Sequence, residues 1–435
     1  MTRRAPAAAL LLFLAAAAAR AQDPDEAGAV IPPTQLPPGV QASTDTDTPP
    51  YLRWMLEPRK NGIFVRLPIV DTDPNRGTTF GVMPILVLQD PGTNRITQIH
   101  APSLTYNANF GVEPTYRWYY YPTPDATLSA RASLSKYERE AFAEYSAGQA
   151  LDTPYDLHLL FQYNVDAGQQ FYGLGPDSSR YSQTNYKQEY WQYKWGVGKP
   201  LAEGSNWRAH IGEHYESSRA LDGPLPGLPG FGATFPAQFS DRYQQTHETR
   251  ATLDYDTRDS VMTTTRGAFA QAYAEASIRG FMSEYDYERY GADLRWFHPW
   301  KTDDDSRVLA VQYQFQQVMG PTPPFWILPT LGGKYSLRAY GDGRFVDRGM
   351  TALNVEQRFN VLQEDMAGVT AQFQIAPFAG LGGVFDSPTS AQLAYVRPVV
   401  GSAFRVVVKP QVVGSVDVGY GQEGAAVFMD INYSF

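Results

Sequence analysis

The chain has 435 residues, with 36 basic against 45 acidic side chains and no cysteine. A disulfide framework and a thiolate metal site are therefore excluded, and the negative balance argues against a nucleic-acid partner. Beyond the first residues no apolar run approaches the roughly 20 residues that a spanning helix needs.

Arg3 and Arg4 precede an apolar run from Ala8 to Ala19, and Ala19-Arg20-Ala21 fits a small-x-small cleavage site. Residues 1–21 read as a secretory signal peptide, with the mature chain starting near Gln22. Residues 22–60 are acidic and Pro-rich (DPDEAG, IPPTQLPPG, TDTDTPP). They lack apolar periodicity up to about residue 50 and read as a disordered periplasmic segment, too short for an ordinary small domain. Residues 61–77 are a lead-in to the wall that follows. Within them NGIFVRLPIVD (61–71) is either a short strand or a piece lying across a barrel mouth.

From Thr78 the pattern repeats. Segments of about ten residues alternate apolar with polar or small side chains, the pattern of spanning strands. The reading places sixteen strands, at 78–89, 103–119, 126–136, 139–149, 156–166, 186–199, 206–218, 246–257, 266–277, 285–298, 307–318, 350–361, 368–384, 395–408, 411–420 and 425–435. Their connections sort into a long set (167–185, 219–245, 319–349, 385–394) and a short set with turn residues (PTPDA, AEGS, KTDDD, VKPQ). The chain is also rich in aromatics, with 28 Tyr, 23 Phe and 8 Trp, as interfacial girdles demand. The fold class is all-β, a closed transmembrane antiparallel barrel over 61–435. A soluble sandwich has no reason to sort its loops in this way. Lipid leaves no backbone group unpaired, so the sheet must close.

Period two assigns the faces. In the strand at 350–361, Asn354, Glu356 and Arg358 point inward. At 368–384, Gln372, Gln374, Phe378, Gly380 and Gly382 point inward, and Val369, Ala371, Phe373, Ile375, Ala379 and Leu381 outward. In the last segment, Val427, Met429, Ile431, Tyr433 and Phe435 point to lipid, and Asp430, Asn432 and Ser434 inward.

Between two such strands lies LGGKYSLRAYGDGRFVDRG (331–349). It is too polar for a membrane strand and too rich in Gly, Arg and aromatics for a loose linker. GGKYSLRAYGDGRFVD (332–347) resembles the sixth-loop signature of the outer-membrane protein assembly and translocation superfamily, the BamA/TamA-like or bacterial surface antigen type. LDYDTRDS followed by TTRGAF (253–269) is similar to that family's strand end and turn. FYGLGPDSS (171–179) is similar to its third outward loop, and LNVEQRF (353–359) to its twelfth strand.

The resemblance spans about residues 62–435. It implies sixteen strands and a sixth extracellular loop folded into the lumen. Arg338 is then the loop anchor, with Gly332, Gly333, Tyr340, Phe345 and Asp347 around it. Glu356, Arg358, Phe378, Gly380 and Gly382 are its wall partners. Tyr340 and Phe345 wedge the loop, and Asp347 braces Arg344 or Arg348. Tyr433 and Phe435 are the C-terminal signal for insertion by the barrel assembly machinery.

Two departures stand out. Ala339 replaces the family's glycine between Arg and Tyr. The inward aspartate of the family's thirteenth strand is missing from Phe378-Ala379-Gly380-Leu381-Gly382, which leaves Glu356 to carry the pairing. The family's periplasmic polypeptide-transport-associated (POTRA) domains have only the Pro-rich segment in their place, which points to the branch that lacks them.

The resemblance implies a role in outer-membrane protein insertion or polypeptide transport, with lipid and client polypeptides as partners. The inward polar residues fit a passive pore or structural surface barrel equally well. His210 and His214 share a face with Arg208 and Glu216, but no set of groups converges on a catalytic centre. No enzyme activity, cofactor or metal is expected. A loop with solvated charges is the plainer reading of Arg338. A confined lumen favours pairing instead.

Overall fold

The computed structural model describes residues 56–435 apart from 93–94, 149, 151–152, 262, 302–303, 322, 367–368, 409–410 and 431–432. The leader and most of the Pro-rich segment, residues 1–55, lie outside the described residues. Twenty strands form one sheet and two more form a small hairpin.

In chain order the strands are β1 Leu56–Arg59, β2 Gly62–Asp73, β3 Gly77–Gln89, β4 Ile96–His100, β5 Ser103–Asn107, β6 Gly111–Tyr120, β7 Ala126–Leu134 and β8 Arg139–Ala147. Six long strands follow: β9 Asp156–Phe171, β10 Thr184–Pro200, β11 Trp207–Asp222, β12 Ser240–Asp256, β13 Gly267–Ser277 and β14 Tyr287–Lys301. The remainder are β15 Asp304–Met319, β16 Thr330–Leu331, β17 Phe345–Val346, β18 Gly349–Met366, β19 Val369–Phe385, β20 Arg397–Val408, β21 Gln411–Gly421 and β22 Gly424–Asp430.

Neighbours in the chain pair antiparallel throughout the large sheet, with β15 joined to β18 across the β16–β17 excursion. β4 and β5 are two halves of one ladder partner, because both pair with β3 and with β6. β1 pairs with β2 alone. Among the described residues, eighteen antiparallel segments therefore follow one another from β2 to β22, where sixteen were expected. The lead-in is itself a strand, and the expected strand at 103–119 is a hairpin. Its turn is set by Asn107, whose side chain accepts from the main-chain N–H of Asn109 and Phe110, before Gly111 at φ 83°.

The end strands β2 and β22 lie side by side, so the sheet returns on itself. No ladder pairs join them among the described residues. β1 occupies part of the same edge of β2, opposite residues 62–65.

The wall is inside out for a water-soluble protein. Phe161, Ile211, Leu353, Val400 and Tyr420 are exposed, while Gln192, Glu248, Gln312, Glu356 and Asp417 are buried on the opposite face. Apolar outward and polar inward is the pattern of a barrel in lipid, and it rules out a sandwich with an apolar core between its sheets. Among the described residues no helix is long and apolar enough to cross a membrane.

The connections at 172–183, 223–239, 278–286, 320–348 and 386–396 share one end of the barrel. The 223–239 connection turns in at the mouth. Its one-turn helix α1, Phe231–Thr234, buries Phe231 against Phe171, Tyr186 and Phe325. Each such ring contributes roughly 2 kcal/mol when buried.

Candidate functional site: the arginine lock

The 320–348 connection is held by its sequence at both levels. Gly332 at φ 125° leaves no room for a side chain, since a Cβ there would meet the Gly341 carbonyl oxygen at 2.2 Å. Gly333, at φ 86°, receives the loop's return strand by donating its N–H to Tyr340 O at 2.9 Å. Ser336 closes the same turn, accepting from Gly332 N at 2.9 Å. Leu331, Leu337, Tyr340 and Phe345 are buried with Met350, Val384 and Val399 of the wall. Gly382 faces this cluster, where Leu331 occupies the space of a side chain. Ala339 is accommodated without a left-handed conformation, because Met282 is the only non-glycine residue with positive φ among the described residues.

At the loop's tip Arg338 is 1% exposed. Its Nη1 lies 2.7 Å from Glu356 Oε2, 2.8 Å from Asp417 Oδ2 and 3.1 Å from Ser434 Oγ. Its guanidinium carbon stands 3.6 Å from the centre of the Phe378 ring. Glu356 also receives Arg358 Nε at 2.9 Å and both Arg405 Nη atoms at 2.6 and 2.9 Å. Asp417 accepts from Ser415 and, at 2.9 Å, from Ser434. Three arginines thus meet two carboxylates in a site without water contact. Arg338 makes all of these bonds through Nη1, its Nη2 having no hydrogen-bond partner among the described residues; breaking such a group leaves an uncompensated charge.

Asp417 and Arg405 were not among the candidates, and they answer the missing aspartate. The second carboxylate comes from β21 instead of β19. At Gly380 a carboxylate would have to push its neighbours aside, since a Cβ there would lie 2.6 Å from Asn354 Oδ1 and 2.9 Å from Val399 Cγ2.

The tail differs from its expected lipid-facing position. Among the described residues the β21–β22 ladder reaches Ser415 opposite Asp430, and Tyr433 and Phe435 lie against the lock. Tyr433 covers Arg358 at 3.8 Å and Arg405 at 4.8 Å. Arg358 donates to the main-chain oxygen of Phe435 at 2.8 Å. The Phe435 ring packs on Phe297, Val308 and Ala310. Excess arginine charge is the physical reason: ring faces and oxygens stabilise cations away from water.

The loop's outer half has its own ties. Arg344 forks onto Glu423 at 2.6 and 2.9 Å, donates to Ser178 O at 2.9 Å and lies 4.3 Å over Tyr172. Tyr340 packs edge-on against Phe345 and accepts from Gln422 N at 3.2 Å. Asp347 braces neither arginine side chain. It accepts the main-chain N–H of Arg348, while Arg344 goes to Glu423 and Arg348 lies 3.8 Å from Asp386. Burial pushes the Asp347 carboxyl above its usual range.

The 253–269 segment forms a turn at the other end. Arg258 forks onto Asp256 at 3.0 and 2.8 Å, and Asp259 accepts from Thr265 N and Arg266 N. His210 bridges Asp156 and Asp254, and His214 bridges Glu248 and Gln192. They line a cavity of about 300 Å³ with His158, Glu275 and Arg289. Among the described residues no group of three or more His, Asp or Glu is placed to hold a metal ion.

An antiparallel sheet that returns on itself, apolar outward and polar inward, defines an outer-membrane β-barrel. Residues 126–406 match the Omp85 superfamily domain, and the chain belongs to that superfamily. Among solved structures it is similar to BamA from Haemophilus ducreyi lacking POTRA domains 1–3, at 12% identity and a TM-score of 0.53, over 80% of this chain and 74% of that one. It is also similar to CdiB from Acinetobacter baumannii, at 13% identity and 0.45, over 86% and 60%, and to CdiB from Escherichia coli, at 10% and 0.48, over 86% and 62%. At these identities the likeness is one of fold. No curated protein matches the sequence.

Proposed function

We propose that this chain is a polypeptide-handling barrel of the bacterial outer membrane, inserting outer-membrane proteins or passing a polypeptide, with the 320–348 loop folded into its lumen as a plug. The observation that carries the reading is Arg338, buried between Glu356 and Asp417. A loop tip tied to the inner wall by buried ion pairs closes the bore at rest instead of lining an open path. An assembly or transport barrel needs a plug that seals it at rest.

Gly332, Gly333, Tyr340, Phe345 and Asp347 shape the plug. Glu356, Arg358, Phe378, Gly380 and Gly382 form its seat. Tyr433 and Phe435 serve both the lock and insertion by the assembly machinery. A leader over 1–21 and an acidic, Pro-rich periplasmic segment over 22–60, whose last residues form β1 on the edge of β2 and are not disordered as expected, complete the domain reading. The test is reconstitution in liposomes with an unfolded outer-membrane barrel as client. Folding of the client faster than in empty liposomes, lost in Arg338→Ala, supports insertion. Unchanged client folding in both would overturn that part of the reading.

A further inference from the structure

The line between β2 and β22 is the one place where neighbouring wall strands lack ladder pairs among the described residues. The hairpin tips on its two sides, 74–76 and 422–423, stand at the same end of the barrel. The plug touches both within five residues. On the last-strand side, Tyr340 Oη accepts from Gln422 N and Arg344 forks onto Glu423. On the first-strand side, Asn75 Nδ2 donates to Asp342 O at 2.8 Å.

That second contact is built into the backbone. Asn75 is buried, and Gly341 lies so close that a Cβ would fall 2.1 Å from Asn75 Oδ1. The tip carrying Asn75 is itself fixed. Asp73 accepts from Asn75 N and Arg76 N, Gln170 Nε2 donates to Asn75 O at 2.9 Å, and Arg76 pairs with Asp166 at 2.7 Å and with Glu138.

We propose that residues 340–344 are a clasp across the β2–β22 seam. They join the first hairpin to the last from inside, along edges that share no ladder pairs among the described residues. Asn75 and Gly341 are the catch on the first-strand side, and Glu423 is the fixed end. The seam parts only after the catch releases. The clasp concerns the closed barrel alone and needs no client, so it stands or falls apart from the transport reading.

Hydrogen exchange of the full chain folded in detergent micelles tests it. A hydrogen bond of ordinary strength implies that Asn75→Ala speeds exchange about 5-fold in residues 66–73 and 424–430. Exchange in the β14–β15 ladder stays as in wild type. Gly341→Val, which displaces Asn75 without altering it, has the same effect. The cysteine-free chain allows the converse. Asn75→Cys with Asp342→Cys, once oxidised, slows seam exchange below wild type, and reduction reverses it. Seam exchange unmoved by Asn75→Ala and by the disulfide would overturn the clasp. So would acceleration spread equally over the wall.

Discussion

The main-chain carbonyl of Arg338 rests directly on the α-carbon of Gly419: a Cβ built there would lie 1.8 Å from that oxygen. The lock therefore depends on an absent side chain as much as on charge. Gly419→Ala should expel the tip while leaving every ionic partner in place. Overpacking of this kind costs about 1–3 kcal/mol or more. The change should appear as protease cleavage within 332–347 and as a lower unfolding temperature of the heat-modifiable band on semi-native gels. Wild-type protease resistance would show that the tip is not seated on β21.

Glu356 and Asp417 differ in what they hold. Glu356 receives all three arginines, whereas Asp417 shares its load with Ser415 and Ser434. Breaking a buried pair costs about 3–5 kcal/mol. Glu356→Gln should fall at the upper end of that range and Asp417→Asn below it, measured by urea unfolding in detergent. Gly380→Asp should not rescue Asp417→Asn, because Asn354 and Val399 fill its place. Rescue would mean that β19 can yield.

Tyr433 separates the two positions for the tail. A lipid-facing tyrosine would tolerate Tyr433→Leu. A ring over Arg358 and Arg405 would not, and a desolvated cation–π contact is worth about 2 kcal/mol. Loss of folded barrel after refolding in detergent, where no assembly machinery acts, assigns the effect to the lock. Normal refolding would return Tyr433 to the outer face.

Glu138 supplies a pH dependence. It lies in the 135–138 turn, and burial, with Asp166 and Glu113 nearby, pushes its carboxyl up to about 7 despite Arg76. The folded value exceeds the unfolded one, so its contribution is fully present below about pH 4.3. It is lost as pH rises toward 7. The urea midpoint should drop between pH 5 and pH 8 in wild type, and Glu138→Gln should remove that part of the drop. Equal pH profiles for the two proteins would contradict the assignment.

The wall was legible because period two and loop length are local. Leu353 beside Asn354, or Ala379 beside Gly380, declares its face without a partner. The strand count failed where alternation runs on through a turn: Asn107-Ala108-Asn109-Phe110-Gly111 reads as more strand unless the asparagine's reach to its own backbone is weighed. The lock was half legible. Arg338 and Glu356 stand in recognisable motifs, whereas Asp417 sits in QVVGSVDVGYG with nothing to mark its partner 79 positions away. The available signal was parity. Arg405 and Asp417 fall on inward positions, and an inward charge that is not solvated must be paired. The place of Tyr433 and Phe435 against the lock had no local signal, because it answers a charge excess assembled from separate strands and a loop.

Single-channel conductance in planar bilayers, wild type beside Arg338→Ala, tests the plug most directly. A locked loop predicts a small, flickering wild-type conductance that widens and steadies in the variant. A large, steady conductance, the same in both, would contradict the plug and favour an open pore.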